Sequence, residues 1–228
     1  MIGYGQFCPV AKAAELLGER WTLLIVRELL VGARRYAELQ RALAKASPTI
    51  LATRLKELEQ AGLVRRAQID GKHHVEYSLT RAGAALGPLV EQMGLWAARW
   101  APSRLARDDL DAYFLMLDIS RRLDSTRLPR PDVTLGFRFR GGVGSAQWWL
   151  VVRGDTRDIC DKDPGYAVDL LFTSPLRTFT EVWLGQRPFA VAVESGRIGL
   201  SGDVTLERTA GEWLGFSAFA RAGSLRPR

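Results

Sequence analysis

At 228 residues, 47% hydrophobic and 25% charged, the chain is long enough for one large or two modest domains, and its composition excludes disorder, a collagen-like rod and a disulfide-stapled miniprotein. Its longest apolar stretches, such as Trp148 to Val152, fall far short of the roughly 20 residues of a membrane-spanning helix, and Met1 to Phe7 lacks the basic start and apolar run of a secretory leader, so a cytoplasmic protein with no membrane partner is expected. The net charge is +7, and the two cysteines, Cys8 and Cys160, match no zinc spacing and suit a reducing compartment.

In chain order, apolar residues recur at three- and four-residue spacing over Pro9 to Leu17, Trp21 to about Val31, Tyr36 to Leu43 and Pro48 to Ala61, which predicts four short helices. Leu63 to Ile69 and His74 to Leu79 alternate as strands, and Asp70-Gly71 between them is a hairpin turn signal. Helices followed by a hairpin are the order of a winged helix-turn-helix. Thr80 then caps a helix carrying Ala82, Leu86, Leu89, Met93, Trp96 and Trp100 in a heptad-like stripe, which Pro88 either bends or begins. That stripe calls for a covering surface, either a second copy of the chain or the rest of the protein.

Near Ala101-Pro102-Ser103 the pattern changes, so a domain of residues 1–100 is expected to be followed by one of residues 101–228. The second half reads as α+β: a helix around Leu110 to Leu117, strands at Val133 to Phe139, Trp148 to Val152 and Val168 to Phe172, a helix over Ser174 to Leu184, a short strand at Ile198 to Leu200, and a closing helix from Asp203 to about Phe219. Asp158, Asp161 and Asp163 read as a solvated loop.

The excess positive charge sits in the first half: residues 1–100 carry 14 Lys/Arg against 9 Asp/Glu, the rest 18 against 16. Between Arg34 and Lys72, nine bases accompany four acids. A focused basic patch attracts polyanions, which puts double-stranded DNA ahead of an anionic membrane surface as partner. Within it, Ser47 is a good N-cap, Pro48 suits the first helical position and Gly62 is a left-handed stop. On the helix so bounded, Leu51, Leu55 and Leu58 form a core-facing stripe that turns Thr49, Thr53, Lys56 and Gln60 outward. Thr49 and Thr53 are the candidates for reading base edges, while Arg41, Lys45, Arg54 and Lys56 are candidates for fixing phosphates around the Ser47 end. Arg65 and Arg66 at the base of the hairpin, and Lys72, His73 and His74 after its turn, would make the wing a minor-groove or phosphate contact. The neighbouring histidines point to opposite faces of a strand, so no metal is expected there.

Phe7-Cys8-Pro9-Val10, Gly18-Glu19-Arg20-Trp21-Thr22-Leu23-Leu24-Ile25-Val26-Arg27-Glu28-Leu29, Arg35-Tyr36-Ala37-Glu38-Leu39, the Ser47 to Leu63 segment and Glu76-Tyr77-Ser78-Leu79-Thr80-Arg81-Ala82-Gly83 together resemble the HxlR-type winged helix-turn-helix regulators over about 95 residues. The resemblance implies a bacterial-type transcriptional regulator, a homodimer joined by the N-terminal segment and the helix after Thr80, with the helix from Ser47 to Ala61 as recognition helix. Some members of that family sense oxidants or electrophiles through a cysteine at this place in the motif, which makes Cys8 a redox candidate. Its position just before Pro9, at the positive end of a helix dipole, favours a thiolate.

The pattern from Ala167 onward resembles the sterol carrier protein type 2 fold, a mixed sheet and helices enclosing an apolar tunnel. It implies an effector-binding domain for a hydrophobic small molecule, with Trp148, Trp149, Phe172, Trp183, Phe189, Trp213 and Phe216 as lining candidates. The plainer alternative is that these aromatics fill the core. No catalytic set is found: there is no nucleophile elbow, no phosphate-binding loop and no histidine beyond position 100, so neither an enzyme nor a cofactor is expected. The reading is a dimeric DNA-binding regulator responsive to a hydrophobic molecule. Its rivals are a hydrophobic-ligand carrier that uses the winged helix only to dimerise, and a redox-sensing regulator working through Cys8.

Overall fold

A computed structural model describes residues 3–68, 75–101, 105–142 and 146–221. The chain divides into two compact units, Met1–Met93 and Gly94–Arg228.

The first unit begins with α1 (Pro9–Leu17), α2 (Thr22–Leu30), α3 (Tyr36–Ala42) and α4 (Pro48–Gln60), followed by an antiparallel hairpin of β1 (Val64–Gln68) and β2 (Val75–Leu79). Local chemistry fixes both ends of α4. Ser47 Oγ accepts from the Ile50 N–H at 3.2 Å, and Pro48 occupies the first turn, where its missing N–H costs nothing. At the other end Gly62 has φ +69, and the Gly62 and Leu63 amides donate to Glu59 and Leu58, the paired bonds that satisfy the last carbonyls of a helix. Leu51, Leu55 and Leu58 then join Ile25, Val26, Leu29, Leu39, Leu43 and Val64 in one buried cluster. The Tyr77 N–H donates to the Arg34 carbonyl at 2.7 Å and Arg35 bridges Glu76, which ties the hairpin back to the start of α3. After Thr80 the chain forms two helices, α5 (Arg81–Ala84) and α6 (Gly87–Trp100), instead of one. Pro88 lies in the first turn of α6, where a helix accepts it, and so marks a true start.

The second unit holds α7 (Ala112–Arg122), β3 (Asp132–Arg140), β4 (Gln147–Arg153), β5 (Thr156–Cys160), β6 (Leu170–Pro175), α8 (Leu176–Trp183), α9 (Phe189–Glu194), β7 (Gly199–Gly202) and α10 (Val204–Trp213). Its sheet has the order β5-β4-β3-β6-β7, with β3 and β6 parallel and the other neighbours antiparallel. Val133, Leu135, Phe137 and Phe139 alternate onto one face of β3, where they pack with Leu115, Met116 and Ile119 of α7, Phe179 and Val182 of α8, and Leu206, Ala210 and Trp213 of α10. The Arg130 guanidinium, 2.6 Å from Asp169 and 2.8 Å from Asp203, joins the approach to β3 to the chain before β6 and to the N-cap of α10.

Three expectations for this half are corrected. β5 is a strand that includes Asp158, so the acidic loop is shorter than the sequence suggests; β5 is a sheet edge whose polar residues carry little alternation. β6 starts at Leu170 and the following helix only at Leu176, after Pro175. The closing helix ends at Trp213 and not near Phe219, because Gly215 has φ +69 and any Cβ there would lie 1.9 Å from the Arg122 carbonyl oxygen. Among the described residues no helix is long and apolar enough to cross a membrane.

Candidate nucleic-acid interface

The site is built around the N-terminal half of α4. Its entry is held by α3: the Tyr36 hydroxyl donates to the Pro48 carbonyl at 2.9 Å, and the Gln40 side-chain amide donates to the Ala46 carbonyl at 2.8 Å. The start of α3 is fixed in turn by Glu38, whose carboxylate accepts from the Arg34 and Arg35 amides. The turn between the two helices is therefore clamped by directional bonds as well as by packing.

On this frame Thr49, Thr53, Lys56 and Gln60 are exposed, opposite the buried leucines. Arg41, at the end of α3, and Lys45, in the turn, are exposed around the start of α4, and both also make polar contacts within the chain. Ser47 is exposed, but its oxygen is used as the helix cap. Arg65 and Arg66 are exposed on β1. Lys72, His73 and His74 lie outside the described residues. Arg54, expected to fix a phosphate, is paired with two carboxylates of its own domain. Its side chain is only one-fifth exposed, and its guanidinium is held by the carboxylates of Glu19 at 2.6 Å and Glu57 at 2.5 Å. Position 54 lies on the flank of α4 nearest the leucine ridge, so its side chain is drawn toward the domain body.

Two residues escaped the sequence reading. Ile50 is 42% exposed beside Thr49, an apolar surface of the kind that meets a thymine methyl group. The sequence gives it no role of its own, although its angular position on the helix, about 100° from Leu51, already sets it apart from the leucine ridge. Glu19 joins the site through Arg54, and with the two 35 positions apart no local pattern announces the pair.

Cys8 is exposed at the start of α1, and the N–H groups of Ala11 and then Val10 hold its thiol below the ordinary cysteine range. Cys160 is the opposite case: burial first, then the carboxylates of Asp158 and Asp161, push its thiol up.

The seven aromatic candidates of the second unit do not share one face. Trp148 and Trp149 are successive residues of β4 and point to opposite sides of the sheet, so Trp149 is separated from the other six, which belong to or pack against the main core. Phe172 and Trp213 are fully buried against each other, with ring centroids 6.1 Å apart, and Trp148 packs against Tyr113. The more open edge is a string in which Phe216 contacts both Trp183, at 5.9 Å, and Phe189, at 5.7 Å. Phe189 and Phe216 are half-buried.

A core of four short helices with a clamped turn, an outward polar face on the fourth and a basic hairpin define a winged helix-turn-helix DNA-binding domain. The HxlR-like helix-turn-helix family profile matches residues 16–104. An uncharacterized HTH-type transcriptional regulator of Bacillus subtilis, YvaP, is 42% identical over 97 residues, which are 42% of this chain and 90% of that protein. The chain therefore belongs to the HxlR-like family of DNA-binding transcriptional regulators. An uncharacterized HTH-type regulator of Mycobacterium bovis is 42% identical over 95 residues, 41% of this chain and 59% of its own length. The solved structure of quinone-bound YodB from B. subtilis is 39% identical and matches 40% of this chain and 97% of that one, with a TM-score of 0.36.

Proposed function

We propose that the protein is a dimeric, sequence-specific regulator that places one α4 from each protomer in successive major grooves, about 34 Å apart, of a near-palindromic operator. The observation that carries this reading is the outward face of Thr49, Thr53 and Lys56 on a helix anchored by Leu51, Leu55 and Leu58. Dimerisation is supported by apolar side chains left uncovered. α6 exposes Leu89, Met93, Trp96 and Trp100 at heptad spacing, by 47 to 60%, and Tyr4, Phe7 and Val10 of the N-terminal segment are more exposed still. Apolar seams of this kind mark association surfaces.

The C-terminal unit supplies the effector site, for a hydrophobic small molecule received at the Trp183, Phe189 and Phe216 edge. The sterol-carrier-like reading is supported by a mixed sheet with helices packed on one face. Such a molecule alters DNA affinity only if it binds the DNA-competent and incompetent states differently. A bound hydrophobe that leaves operator affinity unchanged removes it from the effector role.

The test is equilibrium binding to a duplex from upstream of the protein's own reading frame, at a series of salt concentrations. Each phosphate neutralised contributes about −0.9 to the slope of log affinity against log salt, so a steeply negative slope is expected. Lys56→Ala makes it shallower by about 0.9 per protomer while lowering affinity for all sequences alike. A flat salt response contradicts DNA recognition through this face.

A second reading, redox control through Cys8, is favoured by its exposed, depressed thiol. A thiolate reacts where a thiol does not. The alkylation rate of Cys8 should accordingly rise with pH through a midpoint below the ordinary thiol value, and that of Cys160 through one above it. Peroxide should weaken operator binding by the parent protein and spare Cys8→Ser; equal loss in both ends the redox reading.

A further inference from the structure

The guanidinium of Arg54 lies between two carboxylates: Nη2 is 2.6 Å from Glu19 Oε2 and Nη1 is 2.5 Å from Glu57 Oε2. Its Nε is buried without a hydrogen-bond partner. One guanidinium and two carboxylates leave a net negative charge on the flank of a helix that must approach a polyanion. By Coulomb's law alone, an acid at position 19 costs DNA affinity.

The two acids differ in what they hold. Glu57 is one turn further along α4 itself and moves with it. Glu19 belongs to the turn from α1 into α2, which is firmly set. The Thr22 N–H donates to the Glu19 carbonyl at 3.1 Å, and Trp21 sits at φ +79 with its side chain against the core. The Arg20 guanidinium covers the Trp21 ring at 5.1 Å. A non-glycine residue keeps such a backbone only where its surroundings over-determine it. Arg54 thus links α4 to a fixed point on the scaffold. The Tyr36 bond reaches only the first turn of α4; beyond it the leucine ridge holds the helix by non-directional burial, which tolerates small rolls about the ridge, whereas a charge-assisted hydrogen bond on the flank resists them.

We propose that Arg54 is a positioning residue: through Glu19 it sets the roll of α4, and hence the placement of Thr49 and Thr53 against the bases, and it is not a phosphate ligand. The proposal rests on α4 being the recognition helix. A partly exposed ion pair adds little to stability, so its effect appears in recognition and not in melting.

The signs of two substitutions separate the alternatives. The full-length protein first selects its preferred duplex from a random-sequence pool. Affinities for that duplex and for a scrambled one of equal length are then measured against salt for the parent, Glu19→Gln, Arg54→Gln, the double variant and Lys56→Ala. Removing an acid would raise affinity if charge alone mattered. Positioning instead predicts that Glu19→Gln weakens binding to the preferred duplex roughly three- to tenfold, with no loss on the scrambled one and no change of salt slope. Arg54→Gln should do the same, the double variant should be no worse than either single, and only Lys56→Ala should flatten the slope, by about 0.9 per protomer. Melting temperatures equal to the parent's show that the variants are folded.

The proposal is overturned if Glu19→Gln tightens binding with a steeper slope, because Arg54 has then been released to a phosphate. It is equally overturned if Arg54→Gln flattens the slope or if Glu19→Gln changes nothing. Failure of the parent protein to select any duplex brings down the recognition-helix reading itself, and is visible before any variant is compared.

Discussion

Leu55→Ala lowers the stability of the N-terminal unit by about 2–5 kcal/mol, the range for emptying a buried leucine site. Leu55 is 2% exposed and lies between Leu51 and Leu58, both essentially fully buried, in the ridge that seats α4. Its neighbours are held by their own contacts across the cluster to α2 and α3 and cannot close the gap without moving α4. Against a typical domain stability of 5–15 kcal/mol, such a loss leaves a marginal fold, and operator binding should fall with the folded fraction. Urea denaturation followed by far-UV circular dichroism, with binding measured in parallel, checks both effects. Thr53→Ala, on the same helix but exposed, should shift stability by no more than about 0.5 kcal/mol. The contrast between the two substitutions is the energetic signature of a helix with one face committed to the core and the other left for a partner.

Phe172→Ala should cost the C-terminal unit about 3–5 kcal/mol. The Phe172 ring is fully buried on β6, stacked 4.8 Å from Phe137 with an interplanar angle of 7°, and meets Phe179 and Trp213 edge-on at 5.9 and 6.1 Å. Aromatic pairs in these geometries add about 0.5–1.5 kcal/mol each beyond the area they bury. The magnitude also bears on the effector site. A residue that lines a cavity has fewer neighbours to lose, so a cost below about 1.5 kcal/mol would make Phe172 a pocket wall, whereas the larger value makes it core. Chemical denaturation monitored by tryptophan fluorescence reads the difference. The larger cost would confine the effector site to the half-buried side, around Phe189 and Phe216.

What the sequence disclosed follows from the range of the forces involved. The limits of α4 were legible because Ser47, Pro48 and Gly62 act on their own backbone neighbours, and the leucine ridge because helical spacing is a local property. Residues 156–160 were not legible as a strand, since Thr-Arg-Asp-Ile-Cys pairs on one side only and owes its conformation to β4. The end of α10 depended on the carbonyl of Arg122, more than ninety positions away, which leaves room for no residue but glycine at 215. The partition of Trp148 from Trp149 was available from strand alternation, yet their shared aromatic character grouped them. Composition counts aromatics without telling core from cavity. The Arg54–Glu19 pair was the least accessible of all: a basic residue on the flank of α4 invites a phosphate assignment, and only the fold brings Glu19 within 2.6 Å of it.

The central claim is that the polar face of α4 reads base edges. It is tested most directly by letting the parent protein and a Thr49→Ala/Thr53→Ala variant each select their preferred duplexes from one random-sequence pool. The account predicts two-fold symmetric sites for both, with the preferred bases changed at one or two positions in each half-site and the salt slope unaltered, since hydroxyls that read bases neutralise no phosphate. An identical preferred sequence for the two proteins would contradict it.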